Sequence, residues 1–94
     1  MKALLLGVPD SGGLRYVGRV GTGFADAERK ALTGLLERFS TEHSPFTHGS
    51  GPDRSEPTRW VRPELTCEVE YLEYTTAGHL RHPVYKGLRG PHRD

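Results

Sequence analysis

The stretch LTCEVEY, at residues 65–71, carries the clearest secondary-structure pattern in this sequence. Its apolar residues alternate with Thr66, Glu68 and Glu70, a period of two that is typical of a strand with one face on the core and one in water. We therefore predict a half-buried strand here, with the Cys67 thiol on the core face and the two glutamates on the solvent face.

Four other segments also show strand patterns. An apolar run at residues 3–8 ends at a cluster of turn-forming residues, and an alternating segment follows at residues 14–20. Trp60 and Val61 resume an extended pattern, and residues 80–85 complete the series. Pro83 places that last strand at a sheet edge or a bulge, because proline has no N–H to donate.

One amphipathic helix is predicted at residues 25–39, where apolar side chains recur every three or four positions and Asp26 fits a cap or a first-turn position. Residues 40–58 are rich in Pro, Gly, Ser and Thr without periodicity, so we expect an irregular connection there. Five short strands and one helix favour a mainly β single domain over residues 1–94. The expected fold is a small, five-stranded, partly open OB-type barrel, since closing a sheet hides its edges.

The composition is that of a small soluble domain. Apolar residues make up 34% and charged residues 27% of the 94 positions, which suits one folded core and excludes a highly charged disordered chain. A single cysteine, Cys67, excludes an internal disulfide, and the apolar run near the start is too short for a leader or a membrane span. We expect a cytoplasmic protein with no membrane association.

Charge is balanced overall but segregated along the chain. Thirteen Lys and Arg against twelve Asp and Glu leave a net charge of +1, which does not predict general polyanion binding. Four glutamates lie within residues 64–73, whereas residues 79–94 hold four cations and one acid. Lys86 and Arg89 are separated by a Gly-Leu pair, so a strand end and a bend could direct both cations at one phosphate. The same spacing also fits a cationic rim without a ligand.

The residue types of metal and nucleophile sites are present without the spacing that such sites need. The histidines form no closely spaced pairs on two halves of a site, as structural zinc requires, and only Cys67 could join them. A thiol on the core face of a strand has a raised pKa and is a poor nucleophile. We expect neither a metal site nor a catalytic residue.

Four motifs, in order along the chain, are similar to those of a known family. They are GGLRYVGRVGTGF at residues 12–24, SPF at 44–46, RWVRPEL with EVEY at 59–71, and LRHPVYKGLR at 80–89. Together they resemble the C-terminal OB domain of bacterial ATP-dependent DNA ligases, especially those of the end-joining repair type. The similarity covers nearly the whole chain, from Lys2 to Arg89.

The resemblance implies an accessory role in nick sealing. In that family a separate nucleotidyltransferase domain carries the lysine that takes AMP, and the OB domain moves between closing on ATP and clasping the nicked duplex. The motif positions imply contact with the ATP phosphates for Arg81, Lys86 and Arg89. They imply contact with the DNA backbone for Arg15, Arg19, Gly21, Thr22 and Gly23.

The family's nucleophile motif, K-x-D-G, is absent from this chain, because none of its three lysines begins that sequence. The residues after Arg89 are GPHRD, where family members commonly have an acidic residue and a lysine. We expect the chain alone to be inactive and to hold no cofactor, whereas the complete ligase would use ATP and Mg²⁺. The expected partners are nicked or broken double-stranded DNA and a ligase nucleotidyltransferase domain, in cis or as a separate chain.

Two other functions remain open from the sequence. A standalone single-stranded nucleic-acid binder would need exposed aromatic rings for base stacking. The candidates, most of them equally suited to the core, are Tyr16, Trp60, Tyr71, Tyr74 and Tyr85. Exposure of both Tyr74 and Tyr85 on the barrel face that carries Arg19 and Arg81 would favour this function. A protein-interaction module would instead use the connection around Phe46.

Overall fold

A computed structural model describes residues 1–48, 51–52 and 57–89, which form mainly short strands with one helix. The elements are β1 (Leu4–Asp10), β2 (Gly13–Val20), α1 (Asp26–Glu37), β3 (Ser40–Thr41), β4 (Trp60–Val61), β5 (Thr66–Glu70), β6 (Glu73–Tyr74), β7 (Leu80–Arg81) and β8 (Val84–Arg89). The predicted mainly β chain with one helix is confirmed, and Asp26 lies in the first turn after the N-cap residue Ala25. Among the described residues, no helix is long and apolar enough to cross a membrane.

β1 and β2 form an antiparallel hairpin that supplies most of the core. Ser11 and Gly12 connect the strands with φ values of 49° and 80°, as a two-residue type I′ turn requires. A register shift after Leu6 leaves Val17 without a partner, so Tyr16 and Val17 are both buried although they are neighbours.

The buried core joins this hairpin to the helix and to β8. Its most buried side chains, among the residues described, are Leu6, Tyr16, Val17, Val20, Leu32 and Tyr85. α1 contributes Leu32, in the middle of the apolar stripe predicted for the helix. Tyr85 of β8 stacks on Phe24, with ring centroids 4.2 Å apart. The segment between β2 and α1 is therefore packed directly on β8.

Hydrogen bonds of Arg29 connect the helix to the two segments that flank the hairpin. Its Nη1 donates hydrogen bonds to the carbonyl oxygens of Met1, at 2.7 Å, and Lys2, at 3.1 Å. Nη2 donates to the carbonyl oxygen of Gly21 at 3.2 Å, and the guanidinium carbon lies 4.7 Å from the centre of the Phe24 ring. One side chain thus holds three parts of the chain together.

β5 pairs antiparallel with β8, and the alternation predicted for β5 is confirmed. Cys67 and Val69 are partly buried against the core, whereas Glu68 and Glu70 are exposed. Cys67 lies opposite Leu88, and Val69 lies opposite Tyr85. The face of β5 that carries the glutamates is therefore the outer face of this strand pair.

The structure corrects two of the sequence predictions. The predicted last strand, residues 80–85, is divided at His82 and Pro83 into β7, which pairs with β6, and β8, which pairs with β5. His82 has a φ of 55°, which breaks an extended strand.

The predicted irregular connection, residues 40–58, begins with β3, which pairs with β4. Further along it, the N–H groups of Thr47 and His48 donate to the carbonyl oxygen of Leu14 in β2. Residues 49–50 and 53–56 of this connection lie outside the described residues. A strand of two residues is too short to show an alternating pattern. Only its pairing with another strand identifies it.

Candidate functional site

A bulge in β8 brings Lys86 and Arg89 onto one face of the β5–β8 pair. The register shift between Glu68 and Val69 leaves Lys86 unpaired, and Gly87 follows with a φ of 134°. Without the extra residue, two positions three apart would face opposite sides of a strand. With it, Lys86 and Arg89 both reach glutamates on the exposed outer face of β5.

Each cation assigned to phosphate contact faces a glutamate on the neighbouring strand. Arg89 Nη1 lies 3.4 Å from Glu68 Oε1, and Lys86 Nζ lies 4.0 Å from Glu70 Oε1. Arg81 Nε lies 3.0 Å from Glu73 Oε2, across the β6–β7 pair. We call these three pairs the ion-pair ladder. All six side chains are 46% exposed or more, and such exposed pairs contribute about 0–1 kcal/mol each, so an incoming anion can replace the glutamates.

The glycine-rich segment, residues 21–23, lies against the start of β8. The Tyr85 N–H donates to the Thr22 carbonyl oxygen at 2.9 Å, and Thr22 Oγ1 donates to the Pro83 carbonyl oxygen at 3.3 Å. A Cβ atom on Gly23 would lie 2.4 Å from the Tyr85 carbonyl oxygen and 2.7 Å from its nitrogen. The glycine-rich segment, which contributes three of the five residues assigned to DNA contact, therefore lies directly beside the strand that carries Lys86 and Arg89.

The three residues of that segment differ in what the fold requires of them. Gly23 has a φ of 96° as well as the close approach to Tyr85, so the packing itself demands glycine. A Cβ on Gly21 would meet nothing closer than the Lys2 carbonyl oxygen at 3.5 Å. All three residues remain exposed to solvent on their outer side.

The two arginines assigned to DNA contact lie on β2 and are exposed. Arg15 is held at the hairpin end, where its Nε and Nη2 atoms both contact the Asp10 carboxylate at 2.5 Å. This guanidinium lowers the pKa of Asp10. Burial raises the pKa of Tyr16, and the positive charge of Arg19 partly opposes that effect. The structure thus engages Arg15 with its own hairpin, whereas Arg19 lies near the other end of β2, two residues before the glycine-rich segment.

Cys67, considered for thiol chemistry, lies on the core face of β5, opposite the glutamates. Burial raises the pKa of the half-buried Cys67 thiol, as predicted for the core face of β5. Within the described parts of the chain, no three His, Cys, Asp or Glu side chains are grouped to hold a metal ion.

Among the five candidate aromatic side chains, the exposed pair is Tyr71 and Tyr74 and not Tyr74 and Tyr85. Tyr85 is 2% exposed, so the condition that Tyr74 and Tyr85 share an open face is not met. Tyr71 and Tyr74 are each about half exposed and pack edge to face, with centroids 5.4 Å apart. Leu72, between them, is 69% exposed.

Sequence reasoning missed the partners of the cations. From the sequence, Glu68 and Glu70 indicate only a polar strand face, and Glu73 indicates only an acidic cluster. The available signal was the order of charges: three acids at positions 68, 70 and 73, followed by three cations at 81, 86 and 89. Because β5 pairs antiparallel with β8, and β6 with β7, the first of these acids meets the last of these cations, and the last acid meets the first cation.

Comparison with known proteins supplies the family. The model of the ATP dependent DNA ligase C terminal region matches residues 1–91. The multifunctional non-homologous end joining protein LigD of Mycolicibacterium smegmatis is 45% identical over 87 residues, which are 93% of this chain and 11% of that protein.

Two solved structures share the fold, the ligase domain of M. tuberculosis LigD and a mycobacterial DNA ligase D complexed with ATP and MES. Each has a TM-score of 0.80 and 40% identity, over 94% of this chain and 29% of the solved one. The chain spans 11–12% of the length of the curated LigD relatives. By its match along nearly all its length, the chain belongs to the family of C-terminal regions of ATP-dependent DNA ligases, the region that forms the OB domain.

Proposed function

We propose that this chain acts as the OB part of an ATP-dependent DNA ligase of the end-joining repair type and assists nick sealing. In this role Arg81, Lys86 and Arg89 contact the phosphates of ATP. The observation that carries the proposal is the bulge at Lys86 and Gly87, which places two cations of β8 on one exposed face. A third cation, Arg81, continues the ladder on β7.

The chemistry of these groups fits a triphosphate. Guanidinium groups bind phosphate oxygens through paired N–H donors, and the Lys86 ammonium adds a compact point charge. Phosphoryl transfer depends mainly on positioning and on stabilising negative charge, which cations on a fixed strand can supply. When ATP binds, Mg²⁺ supplies further charge neutralisation at its phosphates. The lysine that takes AMP would belong to a nucleotidyltransferase domain, in cis or as a separate chain.

The same surface suits a nicked or broken DNA duplex. The exposed backbone of residues 21–23 lies beside β8, so its polar groups and the β8 cations can approach one phosphate backbone. Arg19 and Arg15 of β2 add positive charge on the strand that leads into this segment. Work on DNA would place the chain in the cytoplasm, the compartment expected from the sequence.

The test is the salt dependence of binding to a fluorescently labelled nicked duplex, measured by anisotropy. A plot of log K against log salt has a slope of about −0.9 per phosphate neutralised, so Arg89→Ala should flatten the wild-type slope by about 0.9. Arg59→Ala is the matched control, because Arg59 also pairs with a glutamate, Glu37 at 3.9 Å, but lies outside the ladder. Equal slopes for the wild type and Arg89→Ala would contradict a contact between Arg89 and the DNA backbone.

A second function, single-stranded nucleic-acid binding, is favoured only by the exposed Tyr71 and Tyr74 pair. Base stacking contributes about 1–3 kcal/mol per base, so Tyr74→Ala should weaken single-strand binding markedly if this pair is a stacking platform. Tighter binding to a single-stranded oligonucleotide than to the nicked duplex would support this second function over the first.

A further inference from the structure

The ion-pair ladder neutralises the same three cations that the proposed function assigns to ATP. Its glutamates follow one another along β5 and β6, and its cations follow in reverse order along β7 and β8. Arg81 lies directly opposite Glu73 in the β6–β7 register, whereas Lys86 and Arg89 reach their acids diagonally around the bulge. The acids therefore lie along the whole length of the cationic surface.

The geometry sets up a competition between carboxylate and phosphate. A carboxylate oxygen lies 3.0–4.0 Å from each cation, on the side from which a phosphate oxygen would approach. An anion must displace the glutamate or share the cation with it, and in both cases the displaced charge stays nearby because its backbone is fixed in a strand. Neighbouring acids such as Glu68 and Glu70 are about 6.6 Å apart along β5, since a strand rises about 3.3 Å per residue.

We infer that Glu68, Glu70 and Glu73 set the specificity of the cationic face by acting as built-in competitors for phosphate. A single phosphate replaces one carboxylate, so it gains little binding free energy. A polyphosphate or a DNA backbone replaces several carboxylates at once, and the free energy of its additional contacts exceeds the cost of displacing those carboxylates. The three glutamates are thus positioning and selectivity residues, and they contact the cations without contacting the reacting atoms. This inference rests on the proposed function of the cations.

The first experiment measures binding of inorganic triphosphate and of inorganic phosphate to the 94-residue chain by calorimetry. Glu68→Gln, Glu70→Gln and Glu73→Gln keep the side-chain shape and remove the charge. Because exposed pairs are weak, each change should tighten triphosphate binding about two- to fivefold. The triple variant should also bind single phosphate, which erodes the preference for triphosphate. Glu64→Gln is the matched control, since Glu64 belongs to the same acidic cluster but pairs with Arg62 at 2.8 Å, and it should change binding less than twofold.

A double-mutant cycle separates a paired effect from a general change of charge. Glu68→Gln is made in the Arg89→Ala background, and the gain in triphosphate affinity should disappear there because Glu68 has lost its partner. A gain that persists would show that Glu68 acts through the overall field, and it would overturn the inference. Melting temperatures equal to that of the wild type verify that the glutamine variants keep the fold.

The outcomes distinguish this inference from the proposed function. If Arg89→Ala weakens triphosphate binding while Glu68→Gln and Glu70→Gln leave it unchanged, the cations bind phosphate and the competition is wrong. If neither the wild type nor the triple glutamine variant binds triphosphate, the phosphate role of the cations is wrong and the inference fails with it.

Discussion

Gly23→Ala should destabilise the fold by separating the glycine-rich segment from β8. The new Cβ would lie 2.4 Å and 2.7 Å from backbone atoms of Tyr85 and 2.9 Å from Val84 Cγ1, and backbone atoms of a strand cannot rotate away. The segment must therefore move, which breaks the 2.9 Å hydrogen bond from the Tyr85 N–H to Thr22 and loosens the stack of Phe24 on Tyr85.

The size of the effect follows from these contacts. A left-handed backbone costs a non-glycine residue about 1 kcal/mol or more. The lost hydrogen bond costs about 1 kcal/mol, and the weakened aromatic pair costs about 0.5–1.5 kcal/mol. The free energy of unfolding should fall by about 2.5–3.5 kcal/mol, and the melting temperature by about 10–28 °C for a domain of this size.

The measurement is urea and thermal unfolding followed by circular dichroism, with Gly21→Ala as the matched control. Gly21 lies two residues away in the same segment, and a Cβ there meets nothing closer than 3.5 Å, so this variant should stay within about 0.5 kcal/mol of the wild type. The reasoning is refuted if Gly23→Ala and Gly21→Ala unfold at the same urea concentration.

Three further predictions concern single side chains. Arg29→Lys should lower the free energy of unfolding by about 1–3 kcal/mol, because the compact ammonium of lysine cannot reach all three backbone carbonyl oxygens that the Arg29 guanidinium binds. Lys30→Gln, on the exposed side of the helix, should have little effect in the same denaturation assay. Arg15→Gln should destabilise the chain more at pH 7 than at pH 2, since Arg15 lowers the folded-state pKa of Asp10. That stabilisation is present above pH about 4 and is lost as the pH falls through the lowered pKa; urea unfolding at the two pH values measures it. Cys67 should react slowly with iodoacetamide at pH 8 in the folded chain and much faster in urea, because burial raises its pKa; equal rates by mass spectrometry would contradict its placement.

The secondary structure could be predicted wherever one element carries its own pattern. β5 alternates because one face is half-buried, and α1 shows its stripe because twelve residues are enough for the helical period to repeat. β3 and β6 are two residues long and are defined only by their distant partners β4 and β7. A sequence pattern cannot identify such pairs, because they depend on tertiary contacts.

The sequence identifies the cations of the candidate site but not how they are arranged in space. The spacing of Lys86 and Arg89 indicated a shared target, yet the bulge that gives them one face depends on the register with β5. The same register decides that Glu68 and Glu70 lie against those cations. The resemblance to ligases assigned Gly23 to DNA, whereas its close approach to Tyr85 became visible only in the folded chain.

Formation of lysyl-AMP from labelled ATP tests the central claim most directly, with a ligase nucleotidyltransferase domain incubated with and without the 94-residue chain. We expect labelled AMP on the nucleotidyltransferase domain and none on the 94-residue chain itself. The amount of label should rise when the chain is present. The Arg89→Ala variant of the chain should raise it less than the Arg59→Ala variant does. Covalent nucleotide on the chain, or equal stimulation by the two variants, would contradict the assignment of this chain as a phosphate-contacting partner without a nucleophile of its own.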